Sequence, residues 1–144
     1  MLGVKIQDKR ISGSGGRTLN FDLRDILAVI GEPIQKARWR CRDLWCTANT
    51  DGEPISIREE RLDFSGEEFL KFASSIHQTI DGRFEVRREG AAKKSWLVIV
   101  AFDSSWFEVW TTKPPIIERL KSHFQNVTDI SIMTDFNRFE DDNQ

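Results

Sequence analysis

Residues Ser95–Trp110 read SWLVIVAFDSSWFEVW. Six apolar residues run from Leu97 to Phe102, Asp103-Ser104-Ser105 interrupts them, and the residues alternate from Trp106 onward. Segments of this length, rich in Val, Ile, Phe and Trp, suit strands better than a helix, and the polar triplet is the one turn-like point between them. The segment is therefore expected to form a central hairpin, or one long strand bent at a bulge. A hairpin cannot bury its own apolar faces, so the remaining elements must cover it.

At 144 residues, 39% hydrophobic and 31% charged, the chain has the size and composition of a single soluble domain with a continuous core. Its net charge of -2 gives no global attraction to nucleic acid or anionic lipid, so such a partner would need a local patch. No apolar run reaches membrane-spanning length, and the start MLGVKIQDKR lacks the apolar core of a signal peptide. No membrane association and a cytoplasmic location are the resulting expectations. Cys41 and Cys46 are the two cysteines. On one regular strand their odd separation sends them to opposite faces, which precludes a mutual disulfide. With two distant histidines and no C-x-x-C clip, neither a metal nor any other cofactor is expected.

Working outward, residues 1–20 carry Val4, Ile6 and Ile11 among charges and then ISGSGGRTLN. Gly13, Gly15 and Gly16 lack the spacing of a dinucleotide or Walker loop, so this stretch is read as a flexible or loosely packed N-terminal segment. Asp22 is placed to cap a helix whose apolar stripe is Leu23, Ile26, Leu27 and Ile30, stopped by Gly31 and Pro33. From Lys36 to Thr47 the period becomes two. Trp39, Cys41, Asp43 and Trp45 are expected on one face, and Arg38, Arg40, Arg42, Leu44 and Cys46 on the other. Asn49-Thr50-Asp51-Gly52 signals a hairpin into Pro54–Ile57.

Ser65 with Glu68 forms a capping box for a second helix, expected to run through Phe69, Phe72, Ala73, Ile76 and Ile80 to Asp81-Gly82. Phe84 and Val86 then alternate as a half-exposed strand. After Trp110, Pro114-Pro115 opens a third helix along Ile116, Ile117, Leu120 and Phe124, and Val127–Met133 returns to period two. Residues 135–144 read as an acidic polar tail. The expectation is α+β: a single compact domain over 21–134, with a mostly antiparallel sheet of five or six strands packed by about three helices. The order is α-β-β-α-β-β-β-α-β, and the final strand could add a parallel pairing.

Three groups of residues merit weighing as sites. Arg38, Arg40 and Arg42, with Lys36 beside them, place positive charge along one side of a strand, where guanidinium forks suit carboxylates or phosphates. The competing reading is a solvated face neutralised by Glu59, Glu60 and Asp63. His77 and Asp81 stand one helical turn apart on the expected second helix, so the carboxylate could orient the imidazole for acid–base work. His77 also fits an ordinary boundary position, and His123 suits the end of the third helix. Asp103 interrupts the most hydrophobic stretch and could face a ligand from the sheet's rim, although turn chemistry alone accounts for it. The five tryptophans fall in or beside strands, most in the core and one or two at a surface patch.

No assembled nucleophile, base and oxyanion donor is legible, so an enzyme built near His77 and Asp81 ranks last. The preferred reading is noncatalytic protein–protein interaction, in the manner of a small cytoplasmic inhibitor, immunity-type protein or adaptor, with another protein or a second copy as partner. Nucleic acid or another anion on the arginine-bearing strand is the nearest rival.

Overall fold

A computed structural model describes residues 1–11, 17–87 and 94–134. Its central feature is the expected hairpin: β7 (Leu97–Phe102) and β8 (Trp106–Thr111) pair antiparallel from Leu97 opposite Thr111 to Phe102 opposite Trp106. Asp103 and Ser104 occupy the turn with φ of 51° and 59°, and Ser105 N donates to Phe102 O at 2.8 Å. Consecutive left-handed residues at a hairpin turn match the right-handed twist of the strands they join.

Around the hairpin lie β1 (Leu2–Ile6), β4 (Arg38–Ala48), β5 (Ile55–Ser65), β6 (Ile76–Val86) and β9 (Val127–Ile130). They complete a seven-stranded sheet in the order β5-β4-β6-β7-β8-β1-β9. Every neighbouring pair is antiparallel, so β9 joins β1 antiparallel and not in the parallel sense that its preceding helix allowed. A separate two-stranded ribbon joins β2 (Lys9–Ile11) to β3 (Arg17–Leu19). The fold class is α+β as expected. The sheet has one strand more than the upper expectation, and the helices are α1 (Leu23–Ile30), the four-residue α2 (Pro33–Lys36), α3 (Gly66–Ser75) and α4 (Pro114–His123).

The helices bury one face of the sheet. Leu23, Ile26, Leu27 and Ile30 of α1, Phe69 and Ala73 of α3, and Ile116, Ile117 and Leu120 of α4 share one core with Val4, Ile6, Trp39, Phe84, Ile99 and Val109 of the strands. Asp22 caps α1, accepting from Leu23 N at 2.7 Å, while Asp25 accepts from Asp22 N at 2.7 Å. The Asp22 carboxylate also accepts from Thr79 N and Thr79 Oγ1, so one buried acid fastens α1 to β6. Arg119 Nη1 donates to Ile30 O at 2.7 Å and occupies a carbonyl at the other end of α1.

Three expectations need correction. Residues 2–6 do not form a loose segment: β1 lies inside the sheet between β8 and β9, with Val4 and Ile6 fully buried. Five residues alternating among charges give a weak local signal, and only the two flanking strands supply their hydrogen bonds. Gly13, Gly15 and Gly16 and the acidic tail 135–144 fall outside the described residues. Next, α3 stops at Ser75, and Ile76, Ile80, Asp81 and Gly82 belong to β6. Ser74 Oγ and Ser75 Oγ donate back to Leu70 O and Phe72 O, and the β-branched Ile76, Thr79 and Ile80 then suit an extended chain.

The third correction lies within β4. Asp43 adopts a left-handed φ of 52°, and the register against β6 shifts between Arg42 and Trp45. This turns the strand over. Trp39, Cys41, Leu44 and Cys46 consequently all join the helix-side core, while Trp45 points outward with Arg40 and Arg42. The two cysteines therefore share a face, and both are free thiols.

Gly3 lies on the opposite, outer face, directly beneath Trp110, where a Cβ would fall 2.4 Å from the indole ring. Gly3→Ala is expected to lower stability by about 1–3 kcal/mol through overpacking. Gly52→Ala, in open space, should stay within about 0.5 kcal/mol of the parent. Urea denaturation of both variants checks the contrast, and equal stability would remove the Trp110 contact as a constraint.

Candidate functional site

The outer face of the sheet divides into two halves. Over β7, β8 and β1 it is apolar and covered: Val98, Val100 and Trp110 are buried, with Ile130 and Met133 packed against them. Glu108 sits in this half and is only 2% exposed. Trp106 Nε1 and Trp110 Nε1 each donate to its carboxylate at 3.0 Å, Thr134 N donates at 3.0 Å, and Thr134 Oγ1 donates as well. Four donors on one carboxylate satisfy a group that would otherwise be costly to bury. They also tie the segment after β9 across the sheet. Sequence alternation places Glu108 on a polar outer face, and no local signal indicates that residues 26 positions later cover it.

Over β5, β4 and β6 the same face is open and dominated by arginine. Arg40 stands between Asp63 of β5 and Glu85 of β6, and Arg42 stands between Arg61 and Arg83. Arg40 Nε meets Asp63 at 2.9 Å, and Arg61 shares that carboxylate at 3.4 Å. Glu85 is likewise shared by Arg42 at 3.6 Å and Arg83 at 3.3 Å. Arg58 stacks 3.8 Å from the centre of the Trp45 ring, whose Nε1 donates to Ser56 Oγ at 3.2 Å. The hydrogen bond from Arg40, helped by the charges of Arg40, Arg61 and Arg87, holds the Asp63 carboxyl below its ordinary range despite partial desolvation.

The expected row of Arg38, Arg40 and Arg42 is thus one line of a wider array that also includes Arg58, Arg61, Arg83 and Arg87. Arg58 and Arg61 lie on the strand that the Asn49–Gly52 turn sets beside β4, whereas Arg83 and Arg87 join through the β4–β6 pairing, which no local signal indicates. Lys36 does not belong to the strand that carries the row. It ends α2, exposed, 3.7 Å from Glu32. Glu59 and Glu60, expected to neutralise the arginines, lie on the exposed edge strand, Glu59 opposite Leu44.

His77 and Asp81 are not one helical turn apart. Both belong to β6, where four residues span roughly 13 Å. His77 is exposed, and an Asp81 carboxylate oxygen accepts from Asp103 N at 2.7 Å. Ile80 O accepts from Ser104 N at 2.9 Å, so this end of β6 fastens the β7–β8 turn. Asp103 therefore has a structural setting as a turn residue. His123 does end α4, as expected, with its ring edge-on to Phe124. Among the described residues no group of three or more His, Cys, Asp or Glu could hold a metal ion, and no helix is long and apolar enough to cross a membrane.

The tryptophans divide by environment. Trp39 is fully buried and stacks on Phe69 at 4.3 Å between ring centres, and Trp110 is 5% exposed. Trp45, Trp96 and Trp106 are half-buried, each with a cation over its ring: Arg58, Lys113 and Lys5 respectively. Trp106 and Trp110 share the outer face through Glu108, whereas Trp96 packs against the helix-side core.

Comparison with known proteins finds no matching family model, no matching curated protein and no matching solved structure.

Two expectations follow from the buried polar groups. Glu108→Ala would leave the indole and Thr134 donors against apolar surface and should cost about 3–5 kcal/mol, with Glu108→Gln losing less because one oxygen can still accept. Denaturant melts followed by tryptophan fluorescence provide the measurement, and a loss under about 1 kcal/mol would remove Glu108 as the anchor of the covered half. Burial pushes the Cys41 thiol well up, and burial with the nearby Asp22 charge pushes Cys46 from 9.0 to about 11. Both should resist alkylation in the folded chain at neutral pH. As pH rises from 9 toward 11, unfolded thiols ionise while folded Cys46 holds its proton, so stability falls across that window. Cys46→Val should flatten part of this fall, and an identical pH–stability profile would contradict it.

Proposed function

We propose that this chain is a noncatalytic protein-interaction domain that receives an acidic surface of another protein on the outer face of β5, β4 and β6. The observation supporting the reading is the contrast within one sheet face. One half is covered by the chain's own residues 130–134. On the other half seven arginines outnumber the interleaved carboxylates of Asp63, Asp81 and Glu85.

Asp63 and Glu85 give the array a particular character. Each lies between guanidinium groups and orients them, which lowers the ordering cost when those groups meet a partner's carboxylates. The same two acids oppose a continuous run of phosphates, because a nucleic-acid backbone laid along β4 would pass over negative charge at every second row. Sheet readers of single strands also offer open aromatic rings. Here the half-buried Trp45 already carries Arg58 on its face. These features favour a protein partner of mixed but mainly acidic surface over nucleic acid.

Affinity capture with the tagged chain, with and without nuclease and at two salt concentrations, tests the reading. Arg40 and Arg42 are partly covered and paired with Asp63 and Glu85, and glutamine can still donate to those carboxylates, so R38Q/R40Q/R42Q should fold with some loss of stability while losing about tenfold or more in partner retention. A partner held equally by both proteins would overturn the arginine face as its site, and retention abolished by nuclease would transfer the face to nucleic acid.

A further inference from the structure

The two edges of the sheet are unlike. At one end β9 has four residues, and the segment after it folds back over the sheet through Thr134. At the other, β5 is 11 residues long and pairs with β4 alone. That is about twice the ordinary strand length. Long edges present a row of unpaired backbone groups and are normally shortened, bulged, interrupted by proline or given charges that repel a second strand. In β5 the one nearby proline, Pro54, precedes the strand, and alternation breaks only locally, between Arg58 and Arg61 opposite Asp43 of β4, with pairing continuous on either side. Its central charges, Arg58-Glu59-Glu60-Arg61 followed by Asp63, are of both signs.

We infer that β5 pairs antiparallel with the β5 of a second copy, joining two sheets about a dyad between Glu60 and Arg61. This goes beyond the arginine-face reading and does not depend on it. The register follows from faces and charges. Asp63, Arg61 and Arg58 lie opposite the outward Arg40, Arg42 and Trp45 of β4, whereas Phe64, Leu62 and Ile57 lie opposite the core-facing Trp39, Cys41 and Cys46. A dyad between Glu59 and Glu60 keeps the faces matched but sets Arg58 against the partner's Arg61 and Glu59 against the partner's Glu60. A dyad through Glu60 itself sets Arg58 against the partner's Leu62 and Ile57 against the partner's Asp63, mixing the faces.

The dyad between Glu60 and Arg61 has neither fault. Arg58 falls opposite the partner's Asp63 on the outer face, and Arg61 falls opposite the partner's Glu60. On the helix side Ile57 falls opposite the partner's Phe64, extending the apolar layer, while Glu59 faces the partner's Leu62. Each charge pair occurs twice by symmetry, so the edge is complementary to itself in one register. The outward arginine rows of both copies would then share one continuous face.

Sedimentation of the full chain across a concentration series tests the inference. The parent should show a reversible monomer–dimer equilibrium. E60R, a change at an exposed position, should weaken dimerisation at least about tenfold while circular dichroism remains that of the folded chain. E60R/R61E, which restores opposite charges across the dyad, should recover most of the affinity. A parent that is monomeric at every concentration overturns the inference. So does a dimer indifferent to E60R, or one that the double reversal fails to restore. Retention of an acidic partner on the arginine face is read separately, so either idea can fail without the other.

Discussion

The β7–β8 hairpin is apolar on both faces, and that requirement organises the rest of the fold. Ile99, Val109, Phe107 and Leu97 face the helices, while Val98, Val100 and Trp110 face the other way. An antiparallel sheet commonly leaves one face to water, and its strands then alternate. β7 does not alternate, so it needs a layer on each side. Helices α1, α3 and α4 supply one layer. The other comes from Ile130, Met133 and Thr134, with Glu108 as the polar anchor. That second layer cannot be extended over β4 and β5, where the outward residues are arginines with their acidic partners. The division of the outer face into a closed half and an open half thus follows from which strands are apolar on both sides.

Signals that close within a few residues were legible in the sequence. Asp22 as the cap of α1 and the Ser65–Glu68 box that starts α3 are both read from neighbours in the chain, while the return bond from Asp22 N to Asp25 is a finding of the structure. The turn at Asn49–Gly52, the β7–β8 hairpin and the Pro114 start of α4 are likewise decided by neighbours in the chain. Signals that depend on distant partners were not. β1 becomes a strand because β8 and β9 flank it, and nothing in LGVKI marks it as interior. Phe69, Phe72, Ala73, Ile76 and Ile80 fit a helical stripe, but the serine back-bonds and the pairing of β6 with β4 end α3 at Ser75.

Asp43 shows how one residue can redirect a site. Strict alternation joins Leu44 and Cys46 to the arginines and sends Trp45 to the other side. A left-handed residue in mid-strand exchanges those positions. The arginine row keeps its orientation because it lies wholly before Asp43. Beyond it the core gains two small or medium side chains, Leu44 and Cys46, and the outer face gains Trp45, on which Arg58 can lie. Asp is among the few residues that adopt this conformation at modest cost. The aromatic contact on the arginine face is thus a consequence of backbone geometry that alternation alone does not reveal.

The charges of the open half should be judged by arrangement more than by number. Isolated exposed ion pairs contribute little to stability because water screens them and long side chains lose freedom when held. Here the acids Asp63 and Glu85 each meet two guanidinium groups carried by different strands, on side chains that are only partly exposed. Sharing leaves each cluster with surplus positive charge while limiting the rotamers of its arginines. A surface so arranged gives up less entropy on contact than a flexible lysine-rich one, and it repels partners whose negative groups fall at the wrong spacing. On the proposed reading, the interleaved acids would therefore not cancel the arginine face but narrow what it accepts.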